Sequence, residues 1–218
     1  AAPPFWQPGP RSILTAHVSL KQFDLQQSAD DYRQELEALI RQAQTGEIEQ
    51  TEFEKRAKEL TLALLLLTFL GGSRLSLTQL NTNVEAQMAL VQAEREAQMG
   101  TRNLANDIYG QRMFDPESDR AGGSTAIQRI VSRVDLWVGS ILGIFALGQM
   151  HRPDDPLLRW QYGPTEHCDD CLRLHDQIHP ASAWRAAGWQ PRSRRLQCRG
   201  FQCQCEFFED EGPEIGNF

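Results

Sequence analysis

The sequence predicts a mainly α protein. An extended N-terminal arm leads into an elongated helical body, and a small C-terminal α+β module follows. Three observations predict this. Apolar residues recur at helical spacing from Tyr32 to Met150, punctuated by capping residues and glycines. The first 167 residues contain no cysteine. All five cysteines, Cys168, Cys171, Cys198, Cys203 and Cys205, fall in the stretch from His167 to Cys205.

Residues 1–27 carry Pro3, Pro4, Pro8 and Pro10 and no clear period, which predicts an extended arm. Phe5, Trp6, Ile13, Leu14 and Phe23 read as its docking points. The helical domain is expected over 28–152. Ser28 and Asp31 resemble a capping box. Tyr32, Leu36, Leu39, Ile40 and Ala43 follow at helical spacing, and Gly46 is the expected stop. Thr51 and Glu54 form a second capping box, for a helix that should end at Gly71-Gly72. Its run LTLALLLLTFL is 11 residues, about 16 Å of helix, too short for a bilayer core of about 30 Å. Apolar residues on every side of a helix imply burial on every side.

From Ser76 to about Gln111 the pattern predicts one long helix, bent or broken at Gly100. Leu77, Leu80, Val84, Met88, Val91, Met99, Leu104 and Ile108 mark its apolar stripe. Residues 113–123 read as a loop. Thr125 and Gln128 open the last helix of the body, which should run to about Met150. Its Gly139 and Gly143 would allow a second helix to approach closely. Membrane insertion is not expected, because the apolar stretch Leu136–Leu147 is only 12 residues long. Pro153 and Pro156 mark the boundary of the module, expected over 153–210, with an acidic tail at 211–218.

The chain has 218 residues and a net charge of −7, which argues against a general electrostatic binder of nucleic acid. Lysine occurs only at Lys21, Lys55 and Lys58, so most positive charge is arginine. Arg192, Arg194 and Arg195 form a local basic patch, with Arg199 nearby, that could meet DNA phosphate or an acidic partner. The opening AAPPFWQPGPRS has no apolar run of the signal-peptide kind, so synthesis in a reducing cytosol is expected. Clustered cysteines there read as metal ligands sooner than as disulfides.

A C-x2-C pair, a gap of 26 residues and a second cysteine cluster suit one structural Zn²⁺. Zinc takes four ligands in a tetrahedron. A C-x2-C turn supplies two thiolates from one bend, and the distant cluster supplies the rest. Cys168 and Cys171 are the first two ligands, and two of Cys198, Cys203 and Cys205 complete the set. His167, His175 and His179 stand as back-ups. A site saturated with cysteine is closed, and its metal contributes folding energy rather than chemistry. Trp184 and Trp189 should cover this zinc-stapled core. The motifs of P-loop nucleotide binders, nucleophile-elbow hydrolases and H-E-x-x-H metalloproteases are missing, and no catalytic residue is assigned.

A tryptophan, then C-x2-C-x-x-L, then a turn, then a terminal C-x-C is similar to the Mu F-like minor head proteins of tailed phages. The matching residues are Trp160, Cys168, Cys171, Leu174, Gln177, Cys203 and Cys205. The resemblance covers mainly Leu158 to Phe207. Two positions depart from the family's pattern. Its usual histidine before the C-x-C is missing, with Cys198 five residues before Cys203 instead, and Asp176 stands where a glycine is common. The resemblance implies a non-enzymatic virion component made in the host cytoplasm. It would sit in the head interior or at the portal vertex, oligomeric, bound to portal or capsid protein and near packaged DNA, acting in head assembly, packaging or ejection. The alternative is a zinc-ribbon-like adaptor for nucleic acid or protein with a helical oligomerisation region.

Overall fold

The computed structural model describes residues 25–110, 134, 139, 142–164, 166–200 and 203–218. The expected arm before Leu25, the 113–123 loop, the Thr125–Gln128 capping box and the helix from there to 133 lie outside the described residues. The chain is mainly helical, with one small antiparallel sheet near its C-terminus.

Helix α1 spans Leu25–Gln44. It is already under way at Ser28, so Ser28 is an interior residue and not the cap. Ala29, Tyr32, Leu36, Leu39, Ile40 and Ala43 face the core. Gly46 takes a left-handed φ of 73°, and the Glu47 amide bonds to the Gln42 carbonyl at 2.9 Å, which closes the helix as a glycine stop does.

Helix α2 spans Gln50–Ser73, capped by Glu49 through its extended backbone rather than by Thr51. It runs through Gly71-Gly72 and ends at Arg74, which is left-handed at φ 56°. Phe53, Ala57, Leu60, Leu64 and Leu65 join the α1 core, while Leu66, Phe69 and Leu70 enter a second cluster. This is the all-round burial that its composition demands. Tyr32 Oη lies 3.1 Å from Thr61 Oγ1 and satisfies both hydroxyls inside that core.

The expected single helix over 76–111 is divided. Short α3, Leu77–Thr82, has a full Ser76–Gln79 capping box. Asn83 then leaves helical geometry and caps α4, Val84–Tyr109, by accepting from the Ala86 amide at 3.0 Å. A cap side chain thus won over an unbroken apolar pattern. Gly100 does not interrupt α4. The predicted stripe also divides: Leu80, Leu104 and Ile108 are buried, whereas Leu77, Val84, Met88 and Met99 are exposed. The face that packs is Ala86, Leu90, Ala93, Thr101, Leu104, Ala105 and Ile108.

Residues 142–149 form helix α5. Its close crossing partner is α2, through Gly148 against Gly72. A Cβ on Gly148 would meet the Phe69 carbonyl oxygen, the Ser73 nitrogen at 2.9 Å and the Gly72 Cα at 3.1 Å. The expected Gly139–Gly143 spacing does not make this crossing. Gly143 is approached by Pro191 and Arg192 instead, and Gly139, among the described residues, by the Arg192 guanidinium alone.

The module then folds as β1 (Leu157–Gln161), α6 (Asp169–Leu174), β2 (Ile178–Pro180), α7 (Ala181–Ala187) and β3 (Glu206–Glu209). β1 is central and pairs antiparallel with both others: Leu158 faces His179 on one side and Glu209 on the other. Gly188 closes α7 at φ 70°, as expected of a glycine stop. The tail packs on the module. Ile215 bridges Ile178, and the Phe218 ring sits 4.2 Å from His179 and 4.9 Å from Trp184.

Body and module meet at a polar seam. The Arg152 side chain is only 2% exposed and pairs with Asp154 and with Glu209 at 2.6 Å. Glu209 also holds Arg74 at the end of α2. One carboxylate of β3 therefore ties the body to the sheet. Among the described residues no helix is long and apolar enough to cross a membrane.

Candidate metal centre

The five cysteines converge in space. Cys168 caps α6 and Cys171 sits in its first turn, so the helical bend places their sulfurs 3.5 Å apart. Cys198 comes from the turn after Leu196. Cys203 follows Gly200, whose φ of 72° sets the second bend, and Cys205 directly precedes β3. The sulfurs of Cys168, Cys171 and Cys198 all lie within 4.8 Å of one another, and so do those of Cys171, Cys203 and Cys205. Cys171 belongs to both trios. A tetrahedral zinc with bonds of about 2.3 Å needs sulfurs about 3.8 Å apart. The cysteines thus lie close enough to hold a metal ion. The two trios differ in burial: Cys171, Cys203 and Cys205 are buried, Cys168 and Cys198 only partly.

The surroundings explain how a small module closes over them. Trp160, Trp184 and Phe207 pack ring against ring at 5.1–5.7 Å, and Leu158, Leu174 and Leu196 complete one cluster with the cysteines. Trp184 is fully buried there and donates its indole N–H to the Leu158 carbonyl at 2.8 Å, while Trp189 packs at the edge. Burial of aromatics therefore supplements the cysteines in closing the module.

Charge in the cluster is shared unequally. The Cys171 and Cys205 thiols beside Cys203 lower its pKa. The contact with Cys203 pushes the Cys171 thiol far up. Cys198 is raised to about 11, chiefly by burial. Trp160 is fully buried, and among the described residues its indole N–H has no hydrogen-bond partner. The Cys205 pKa is raised to about 12: the Cys171 thiol lowers it, but contact with Cys203 and burial outweigh that, and the Trp160 indole opposes them least.

The three back-up histidines stand apart from both trios. Tyr162 is stacked with His167 at 4.2 Å and with His175 at 3.7 Å. His179 is buried in β2 against Trp184 and bonds to Gln177. Asp176 takes a left-handed φ of 60°, with its amide bonded to the Trp160 carbonyl at 2.9 Å. The position does call for glycine-like backbone, which aspartate tolerates better than most residues.

The basic patch separates into unlike members. Arg192 is a clamp: its side chain is 7% exposed and bonds to Glu206, the Cys205 carbonyl and the Gly139 carbonyl. Arg194 is exposed and pairs loosely with Glu96 on α4 at 3.6 Å. Arg195 and Arg173 each lie 4.7 Å over the Trp189 ring. Arg199 is exposed. Beside them a cleft of about 640 Å³ runs between the body and the module, lined by Gln92, Glu96, Ile144, Arg192, Arg194 and Arg199 among others. Sequence reasoning missed this cleft, since its two walls lie about a hundred residues apart in the chain.

No known protein family matches the chain, and neither a curated protein nor a solved structure matches it.

Proposed function

We propose that the chain is a non-enzymatic minor head protein of a tailed phage, with its C-terminal module closed by one structural Zn²⁺. The observation that carries this reading is the meeting of the motif residues in one unit. Trp160, Cys171, Leu174, Gln177, Cys203 and Cys205 are all buried, and Cys168 lies beside them at the metal cluster. The spacing that resembles Mu F-like proteins brings cysteines close enough together to hold a metal ion. Cysteine fills every near position, and such a site is closed and holds shape rather than activating water.

Assembly is the role assigned to the body. Leu77, Val84, Met88 and Met99 leave apolar side chains exposed along α3 and α4, a surface suited to contact with portal or capsid protein or with further copies. Arg194, Arg195 and Arg199 are the residues left to meet DNA phosphate, because Arg192 is committed internally.

Affinity purification from cells propagating the chain's own genome tests the proposal, with negative-stain electron microscopy of what is recovered. Capsids, portal rings or particles of cyclic symmetry are expected. A monomer that shifts one DNA sequence and brings down no particle would overturn it in favour of the adaptor reading.

A further inference from the structure

The geometry points to Cys168 and Cys198 as an oxidisable thiol pair that shares a single coordination position of the metal. Five thiols exceed the four that one tetrahedral ion takes. Three of them, Cys171, Cys203 and Cys205, form a buried trio that can serve as a fixed base. The fourth position is left to two sulfurs, each within 4.8 Å of Cys171 and of the other. These two are also the only cysteines of the five that reach the surface.

Their pairing is built into the fold. Two hydrogen bonds join the start of α6 to the loop that carries Cys198. The Asp169 amide donates to Gln197 Oε1 at 3.1 Å, and the Gln197 amide donates to Asp170 Oδ2 at 2.8 Å. Neither bond belongs to a helix or strand. Together they hold residue 168 against residue 198 across the 26-residue gap between the two cysteine clusters.

The consequence is a covalent switch with a hydroperoxide as oxidant. A thiolate of the pair attacks one peroxide oxygen and the O–O bond breaks. Hydroxide leaves, takes a proton and becomes water, and the sulfur becomes a sulfenic acid. The second thiolate attacks that sulfur, the S–O bond breaks, and a second water departs. Two thiols are oxidised to the Cys168–Cys198 disulfide, and one hydrogen peroxide is reduced to two waters. The disulfide removes both contenders for the fourth position, so the ion keeps three protein ligands and becomes exposed. The metal half of this inference rests on the zinc reading above; the thiol pair does not.

The test uses the full chain loaded with zinc chloride and treated with hydrogen peroxide. Free thiols are then alkylated and peptides mapped by mass spectrometry, while a chromophoric chelator follows zinc release. A disulfide linking Cys168 to Cys198 is expected, with zinc leaving on the same time course and returning after reduction with dithiothreitol. Cys168→Ser and Cys198→Ser should each bind zinc within about tenfold of the parent, whereas the double variant and Cys203→Ser should each lose roughly a hundred- to a thousandfold. Oxidation inside the buried trio, no disulfide at all, or single variants as weak as the double would each overturn the inference. A chain that forms the Cys168–Cys198 disulfide but binds no zinc would overturn the zinc reading and leave the pair standing.

Discussion

Replacing Gly148 by alanine tests the junction between α2 and α5. The new methyl group would meet three backbone groups: the Phe69 carbonyl, the Ser73 nitrogen at 2.9 Å and the Gly72 Cα at 3.1 Å. Backbone cannot rotate away as a side chain can, so the helices must separate towards the usual contact of about 3.5–4.0 Å. That strains a core holding Phe69, which is fully buried. Overpacking of this kind costs about 1–3 kcal/mol, and backbone neighbours put it near the top of that range. Alanine returns about 1 kcal/mol through its better helix propensity. The net loss is about 2 kcal/mol, or a fall in Tm of about 4–8 °C for a chain of this size. Gly139→Ala is the control. Among the described residues its Cβ would meet only the Arg192 guanidinium at 4.0 Å, so propensity dominates and stability should rise by up to about 1 kcal/mol. Urea and thermal unfolding followed by circular dichroism read both. A Gly148→Ala protein as stable as the parent, or an equal loss in Gly139→Ala, would refute the crossing.

His151 predicts a pH dependence. Burial first, and the Arg185 charge second, lower its pKa to about 4, against an opposing pull from Glu85. The unfolded chain therefore takes up a proton near pH 6.5 that the folded chain refuses. Stability is full above that pH, falls by about 3 kcal/mol between pH 6.5 and 4, and loses nothing further from this group below. His151→Gln should flatten unfolding free energy over that window; an unchanged slope would assign it to other groups. Glu209→Gln leaves Arg152, with its side chain 2% exposed, facing Asp154 alone, and should cost about 1–3 kcal/mol in urea unfolding. Little or no loss would mean that the seam does not need that charge.

Local signals were legible where one short stretch decides the outcome. Gly46 stops its helix at a left-handed φ, as its position suggested. The cysteine spacing pointed to one cluster, and the sulfurs form two trios that share Cys171. Boundaries were less legible where two local preferences compete. Asn83 divides a helix because its side chain caps Ala86, although the apolar pattern runs on. Glycine in a helix was ambiguous in the same way. Gly71-Gly72 looked like a stop, but Gly72 lies inside α2 because α5 crosses it closely. Gly139 and Gly143 looked like a helix contact, but a module loop covers Gly143. The split of the arginine patch was not legible, since Glu206, Cys205 and Gly139 reach Arg192 only through the tertiary fold.

The account turns on a metal that holds the module's shape. The most direct measurement is metal content of the purified full chain by mass spectrometry, paired with near-ultraviolet circular dichroism before and after chelation. Trp160, Trp184 and Phe207 pack around the cysteines, so their signal reports the module. The account predicts one zinc per chain, with aromatic signal lost on chelation and restored by zinc. A chain that retains the full aromatic signal without metal, and gains none when zinc is supplied, would contradict it.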